Sequence, residues 1–257
     1  MKVRQGERTL EIETAWVGDA SSRGPVIVFL HEGLGSVSMW KDFPQRLCKA
    51  AGRRGLVYSR EGYGRSTPRP AHEHWAPDFM HRQAFDALPA LLQALDLPAP
   101  YVLFGHSDGG SIALIHAATY PLRVAGVVAL APHIMVEEQS VTSIAQTREA
   151  WFRTDLRQRL ARHHADVDSA FWGWNDAWLQ PTFRDWSIEA LLPSIRCPVL
   201  AIQGEDDEYG SMAQIDGIAE RVPQAELLKL AHCGHSPHKD QPGAVIETTC
   251  RFLARKP

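Results

Sequence analysis

Cysteine is scarce in this sequence, with four in 257 residues and none in a CxxC pair. Cys48, Cys197, Cys233 and Cys250 are too dispersed for a disulfide framework or a zinc site, so reduced thiols are expected. The twelve histidines do not supply a metal site either. No HxxxE or HxxxH pair lies on a convincing helical pattern, and the adjacent His163 and His164 would point apart on a helix. Long apolar runs are missing: nothing approaches the roughly 18 residues a membrane-spanning helix needs. The first ten residues are polar and lack the apolar core of a secretory signal, so a cytoplasmic protein is expected. An excess of one charge sign is also absent. Lys and Arg number 27 against 30 Asp and Glu, a net charge of −3. That balance argues against a broad grip on nucleic acid or on an anionic membrane.

What is present is an ordinary globular composition, 44% hydrophobic and 22% charged, on a chain long enough to bury a sizeable core. Short apolar runs alternate with amphipathic segments, the signature of a parallel sheet flanked by helices. The runs at 25–30, 55–59, 101–105, 124–130 and 199–203 read as strands buried on both faces. Residues 225–230 read as a shorter strand nearer the edge. Thr9 to Val17 alternates apolar and polar, which predicts one antiparallel strand at the opposite edge. Between these runs, Met39, Trp40, Phe43, Leu47 and Ala51 share a helical face. Phe85, Leu88, Leu92 and Leu95 share another, as do Met212, Ile215, Ile218, Ala219 and Val222. Pro242 suits the first turn of a final helix carrying Val245, Ile246, Thr249 and Leu253.

One segment breaks the rhythm. Residues 133–192 hold no convincing strand, yet they contain Trp151, Trp172, Trp174, Trp178 and Trp186, five of the eight tryptophans. Such an insertion between two strands predicts a helical cap over the sheet edge, with the core formed by 1–132 and 193–257.

The sharpest local signal is Gly105-His106-Ser107-Asp108-Gly109, between the strand at 101–104 and a helix-like run. Five-residue matches to G-x-S-x-G arise often by chance, but the strand–turn–helix setting gives this one meaning. A nucleophile at the apex of a sharp turn needs a strained backbone, and glycine two residues to either side removes the collisions. The N–H of Asp108, opening the helix, can then donate to a developing oxyanion. A frame shifted onto Asp108 as nucleophile would put His106 where the first glycine is required, so Ser107 fits and Asp108 contributes its amide. His106 reads as a packing residue beside the nucleophile.

A serine hydroxyl needs a base held by an acid. The run 199–203 is followed by Gly204-Glu205-Asp206-Asp207-Glu208, and the run 225–230 by Ala231-His232-Cys233-Gly234-His235. The order Ser, acid, His matches that of the α/β hydrolases. The residues themselves leave the acid open within the acidic cluster. His232 and His238, which flank His235, read as surface residues.

Over nearly its whole length the chain resembles the α/β-hydrolase superfamily, in the short-chain, capped branch with esterases, enol-lactonases and meta-cleavage-product hydrolases. The resemblance implies an α/β-hydrolase fold: a mostly parallel central sheet flanked by helices, with the helical cap inserted between strands. It assigns the nucleophile to Ser107. The acid, placed three residues after a strand-ending glycine, falls on Asp207, with Asp206 the alternative, and the base after a glycine falls on His235. It implies an oxyanion hole built from the Asp108 amide and from Gly33 or Leu34, with Leu34 favoured. Glu32 departs from the His-Gly pattern usual in that loop, which leaves its role open. The loop Tyr58 to Ser66 also resembles its family counterpart, with Arg60 or Arg65 expected to brace carboxylates.

A tryptophan-dense cap predicts a pocket for apolar or aromatic groups, with Trp40, Trp151, Trp172, Trp174 and Trp178 as its candidate lining. The expected activity is cleavage of a small ester, lactone or thioester through an acyl-enzyme. The alternatives are carbon–carbon bond hydrolysis of the meta-cleavage type and a non-hydrolytic lyase, perhydrolase or receptor. No metal or organic cofactor is needed, and the expected partner is a small-molecule substrate on a monomer or homodimer. A dinucleotide-binding reading of Gly33-Leu34-Gly35 fails, because Ser38 stands at the third glycine position and the acidic residue after a second strand is missing.

Overall fold

The computed structural model describes residues 1–70 and 73–255. A hairpin of β1 (Lys2–Gln5) and β2 (Arg8–Glu11) forms a two-stranded sheet of its own. The main sheet has seven strands: β3 (Thr14–Gly18), β4 (Ile27–Leu30), β5 (Arg54–Tyr58), β6 (Tyr101–His106), β7 (Val124–Leu130), β8 (Val199–Gly204) and β9 (Ala225–Leu230). Their spatial order is β3-β5-β4-β6-β7-β8-β9. Only β3 runs antiparallel to its neighbour; every other pairing is parallel. This is the mostly parallel α/β sheet that the alternating runs predicted.

The helices are α1 (Phe43–Ala51), α2 (Phe79–Arg82), α3 (Leu88–Ala94), α4 (Asp108–Thr119), α5 (Glu138–Arg153), α6 (Leu156–Ala161), α7 (Val167–Leu179), α8 (Ala213–Arg221), α9 (Pro237–Asp240) and α10 (Pro242–Arg255). Strand residues alternate between the two sheet faces, so the core divides in two. Val28, Leu30 and Leu103 pack with Ile112, Ile115, Phe171 and Trp178 on one face. Ile27, Phe29, Val102 and Phe104 pack with Phe43, Leu47 and Phe252 on the other. Helix α4 is buried almost all round, beneath the centre of the sheet's apolar face. No helix among the described residues is long and apolar enough to cross a membrane.

Three sequence expectations need correction. Thr9 to Val17 is not one strand. It divides at Ile12 and Glu13, and its first half pairs with β1 outside the main sheet while only Thr14–Gly18 forms the antiparallel edge. The helix carrying Trp40 and Phe43 is interrupted: Val37–Trp40 is a 3₁₀ turn, and Lys41 adopts φ 52° before α1 begins with Pro44 in its first turn. Phe85 lies in a π-helical turn, Gln83–Ala87, just ahead of Pro89. Proline has no N–H to serve the carbonyl four residues back, and Tyr120 Oη donates to that Phe85 carbonyl at 3.0 Å instead.

Between β7 and β8 the chain forms α5, α6, α7 and two short 3₁₀ turns, with a single isolated bridge from Met135 to Ser187. The loops after β6, β8 and β9, together with the loop after β4, meet at the carboxyl ends of the strands. That is where parallel sheets place their ligand crevices.

Candidate active site

Ser107 sits between β6 and α4 with φ 53° and ψ −121°. A non-glycine residue is rarely held there, and the surroundings enforce it. A Cβ on Gly105 would run into the Gly109 carbonyl, and one on Gly109 into the backbone of Leu30 and His31. Both glycines are therefore steric requirements of the turn. Ser107 N–H donates to the Leu130 carbonyl at 2.8 Å, which ties the turn to the end of β7. Its hydroxyl is left to face the crevice.

His235 Nε2 lies 2.9 Å from Ser107 Oγ, and His235 Nδ1 lies 2.8 and 3.0 Å from the two oxygens of Asp207. A carboxylate only accepts, so Nδ1 carries the ring proton and Nε2 accepts from the serine hydroxyl. Asp207 is buried, whereas Glu205, Asp206 and Glu208 are exposed. Burial works to raise the Asp207 carboxyl pKa. The hydrogen bond and charge of His235 and the Tyr209 N–H at 2.8 Å outweigh it, so the group is held below its ordinary range. Glu208 instead accepts from the His235 backbone N–H at 3.2 Å.

Around this line the buried polar groups are interlocked. His106 Nε2 donates to the His235 carbonyl at 2.7 Å, and its Nδ1 faces Glu32 Oε2 at 3.6 Å. Lys239 Nζ stands 3.5 Å from Glu32. Burial pushes the Glu32 carboxyl upward, but Lys239 and His106 hold it well below the usual range. His238 is buried rather than exposed, packed against Trp40 and His106 with ring centroids 4.8 Å apart in each case. His232 is exposed. The Asp108 side chain accepts from Trp178 Nε1 at 3.1 Å and faces the Arg60 guanidinium at 3.8 Å. Burial raises its pKa to about 6 against the pull of Arg60. Arg60 is thus the arginine that reaches a carboxylate here, whereas Arg65 is exposed.

A cavity of about 120 Å³ opens over Ser107. Gly33, Leu34 and Asp108 contribute to its wall, as do Glu32, His133, Ile144, Tyr209 and His235. Of the five expected tryptophans, Trp174 and Trp178 line it. They stand four residues apart on α7 and share a face. The other three do not line it. Trp172, two residues from Trp174, turns to the far side of α7, where it lines a separate cleft with Arg69 and Trp75. Trp151 stacks on Phe171 at 3.9 Å within the insertion. Trp40 is buried across the sheet, edge-on to Phe29 and Phe104.

Sequence reasoning passed over His133, Ile144 and Tyr209. His133 is fully buried and rests edge-on to Trp178, and burial lowers its pKa to about 3. Ser111 fixes its backbone, accepting from His133 N–H at 3.0 Å and donating to its carbonyl at 2.7 Å. The available signal was its place three residues beyond β7, beside the strand that leads to the serine turn.

Residues 27–248 match the family model described as "Alpha/beta hydrolase family". The chain is 25% identical over 264 residues to the sn-1-specific diacylglycerol lipase of Mus musculus, covering 92% of this chain and 83% of that one. It is also 25% identical over 279 residues to the proline iminopeptidase of Levilactobacillus brevis, covering 93% and 91%. Among solved structures it superposes on the enol-lactonase from Burkholderia xenovorans LB400 with a TM-score of 0.76, at 20% identity and covering 99% and 100% of the two chains. These relatives are named for different substrates. With this fold and a match across most of its length, the chain belongs to the alpha/beta hydrolase family and is a hydrolase.

Proposed function

We propose that this protein is a serine hydrolase of small carboxylic esters, thioesters or lactones that carry an apolar or aromatic group. The observation that carries the reading is the continuous line Asp207–His235–Ser107, with contacts of 2.8 and 2.9 Å, at the base of a cavity walled by Trp174 and Trp178. His235 Nε2 takes the Ser107 proton as Oγ bonds to the substrate carbonyl carbon, and the carbonyl electron pair moves onto oxygen. Backbone N–H groups of the turn and of the 32–35 loop hold that oxyanion. Collapse expels the alcohol or thiol, which takes its proton from His235. Water activated by the same histidine then releases the acid, while Asp207 holds the ring tautomer throughout. The helical insertion serves as a cap: α7 roofs the serine and supplies the apolar wall, which excludes bulk water. Relatives named as a pimeloyl-[acyl-carrier protein] methyl ester esterase and an enol-lactonase support the ester and lactone range.

The test is reaction with a fluorophosphonate probe, alongside Ser107→Ala. Mass mapping is expected to find the adduct on Ser107 and none in the variant. By the scale of other serine enzymes, loss of the nucleophile costs about 10⁶ in turnover. A folded protein that leaves the probe unreacted overturns the acyl-enzyme reading.

A further inference from the structure

We infer that Arg60 is a positioning residue that fixes the oxyanion hole by clamping the Glu32 carbonyl, which aims the Gly33 N–H into the cavity over Ser107. The inference rests on the acyl-enzyme reading and names the donor that reading leaves open.

Three donors converge on the Glu32 carbonyl: His31 Nδ1 at 2.7 Å, Arg60 Nη2 at 3.0 Å and Gly35 N–H at 3.0 Å. The Glu32–Gly33 peptide is trans, so its C=O and N–H point in opposite directions. A carbonyl held from the protein interior therefore turns the Gly33 N–H outward, on the side where Gly33, Asp108 and Ser107 share the cavity wall. The Gly35 bond closes a turn over residues 32–35. Within the same turn the Leu34 carbonyl accepts from His164 Nε2 at 3.0 Å, and His164 Nδ1 in turn accepts from Gly64 N–H at 3.0 Å. The loop is held from both sides, and Gly33 rather than Leu34 has the amide whose direction the clamp sets.

Arg60 acts on this carbonyl twice. Its backbone N–H donates to His31 Nε2 at 3.0 Å, which leaves His31 only the tautomer with hydrogen on Nδ1, the form that can donate to Glu32. Its guanidinium supplies the second donor directly. The same group faces the carboxylate of Asp108, whose N–H opens α4 as the other oxyanion donor. One side chain thus touches both halves of the hole. Its position is costly for stability alone: Arg60 is 2% exposed, its Nη1 has no hydrogen-bond partner among the described residues, and the 3.8 Å contact with Asp108 is too long for a hydrogen bond. Buried ion pairs of such geometry rarely improve on apolar packing. Both contacts run from Nη2, whose place is set by a planar guanidinium lying over the Tyr63 ring at 4.9 Å, a geometry that a lysine's flexible ammonium does not reproduce.

The test needs no knowledge of the natural substrate. Fluorophosphonate inactivation of Ser107 is followed in the parent, in Arg60→Lys, and in Arg60→Met combined with Asp108→Asn, which strands no buried charge. Thermal melting verifies that each variant is folded. The maximal inactivation rate is expected to fall about 10- to 100-fold, the scale of a displaced oxyanion donor. The probe concentration at half-maximal rate should stay within about twofold, and the pH midpoint of inactivation should not move. A trifluoromethyl ketone, which forms a tetrahedral oxyanion on the serine, should protect more weakly by the same factor. Folded variants that keep the parental rate and protection overturn the inference and leave the acyl-enzyme reading intact. A folded parent that never reacts removes that reading, and the inference falls with it.

Discussion

Trp174 lies where a side chain on Gly33 would begin, its indole Nε1 edge filling the position of the missing Cβ. One residue comes from the loop after β4 and the other from α7, so this contact joins the floor of the cavity to its roof. Glycine at 33 is the condition for that approach.

Gly33→Ala is therefore expected to lower the Ser107 labelling rate by about tenfold or more, because either the loop or the indole must move. Trp174→Ala in the same chain opens the space and is expected to restore much of the rate. The two substitutions should couple by roughly 1–3 kcal/mol in a double-mutant cycle. Strict additivity would show that the two residues act separately.

Asp207→Asn replaces an acceptor with an amide that can donate to His235 Nδ1, which moves the ring proton to Nε2 and disables the base. Labelling should fall by about 10³- to 10⁴-fold with the melting temperature little changed. Asp206→Asn, on an exposed neighbour, should leave the rate within about twofold. Equal losses in the two variants would reassign the acid.

His133 gives a dependence of stability on pH. Its folded pKa, about 3, lies below its ordinary value of 6.5 because burial disfavours the imidazolium. As pH falls below about 6.5 the unfolded chain takes up a proton that the folded one refuses. Stability is therefore lost progressively toward pH 3, by on the order of 1 kcal/mol per unit. His133→Gln should make that acid limb shallower by about one proton, the remainder coming from His31, His116 and His238, which burial also holds below the ordinary value. Urea midpoints at pH 7 and about pH 4.5 decide it, and parallel limbs in the two proteins would sink the assignment.

Much of the fold could be read because its signals are local. The buried parallel strands are continuous apolar runs, and the Ser107 turn carries its two glycines within five residues. The hairpin β1–β2 was not legible as such: Val3 and Leu10 bury their side chains beneath a polar sequence that is mostly exposed. The cavity wall was legible only in part, since a tryptophan's residue type says nothing of its azimuth on α7. The clamp on Glu32 was least accessible. Arg60 stands 28 residues from the carbonyl it holds, and a bond from a side chain to a backbone oxygen leaves no trace in the partner's residue type.

The first helix of the insertion grips the acid loop by its backbone. Gln139 Nε2 donates to the Asp207 carbonyl at 2.7 Å, Ser143 Oγ to that of Glu208 at 2.6 Å, and Ser140 Oγ to that of Tyr209 at 2.6 Å. Thr147 Oγ1 meets Tyr209 Oη at 3.0 Å. α5 and residues 207–209 thus form one mechanical piece, and displacing α5 would drag Asp207 away from His235. α5 is in turn tied to α7, where Asn175 Nδ2 donates to the Ile144 carbonyl at 3.1 Å, so a displacement of the roof would be felt at the acid. Any graft of this insertion onto another scaffold would have to carry the loop after β8 with it.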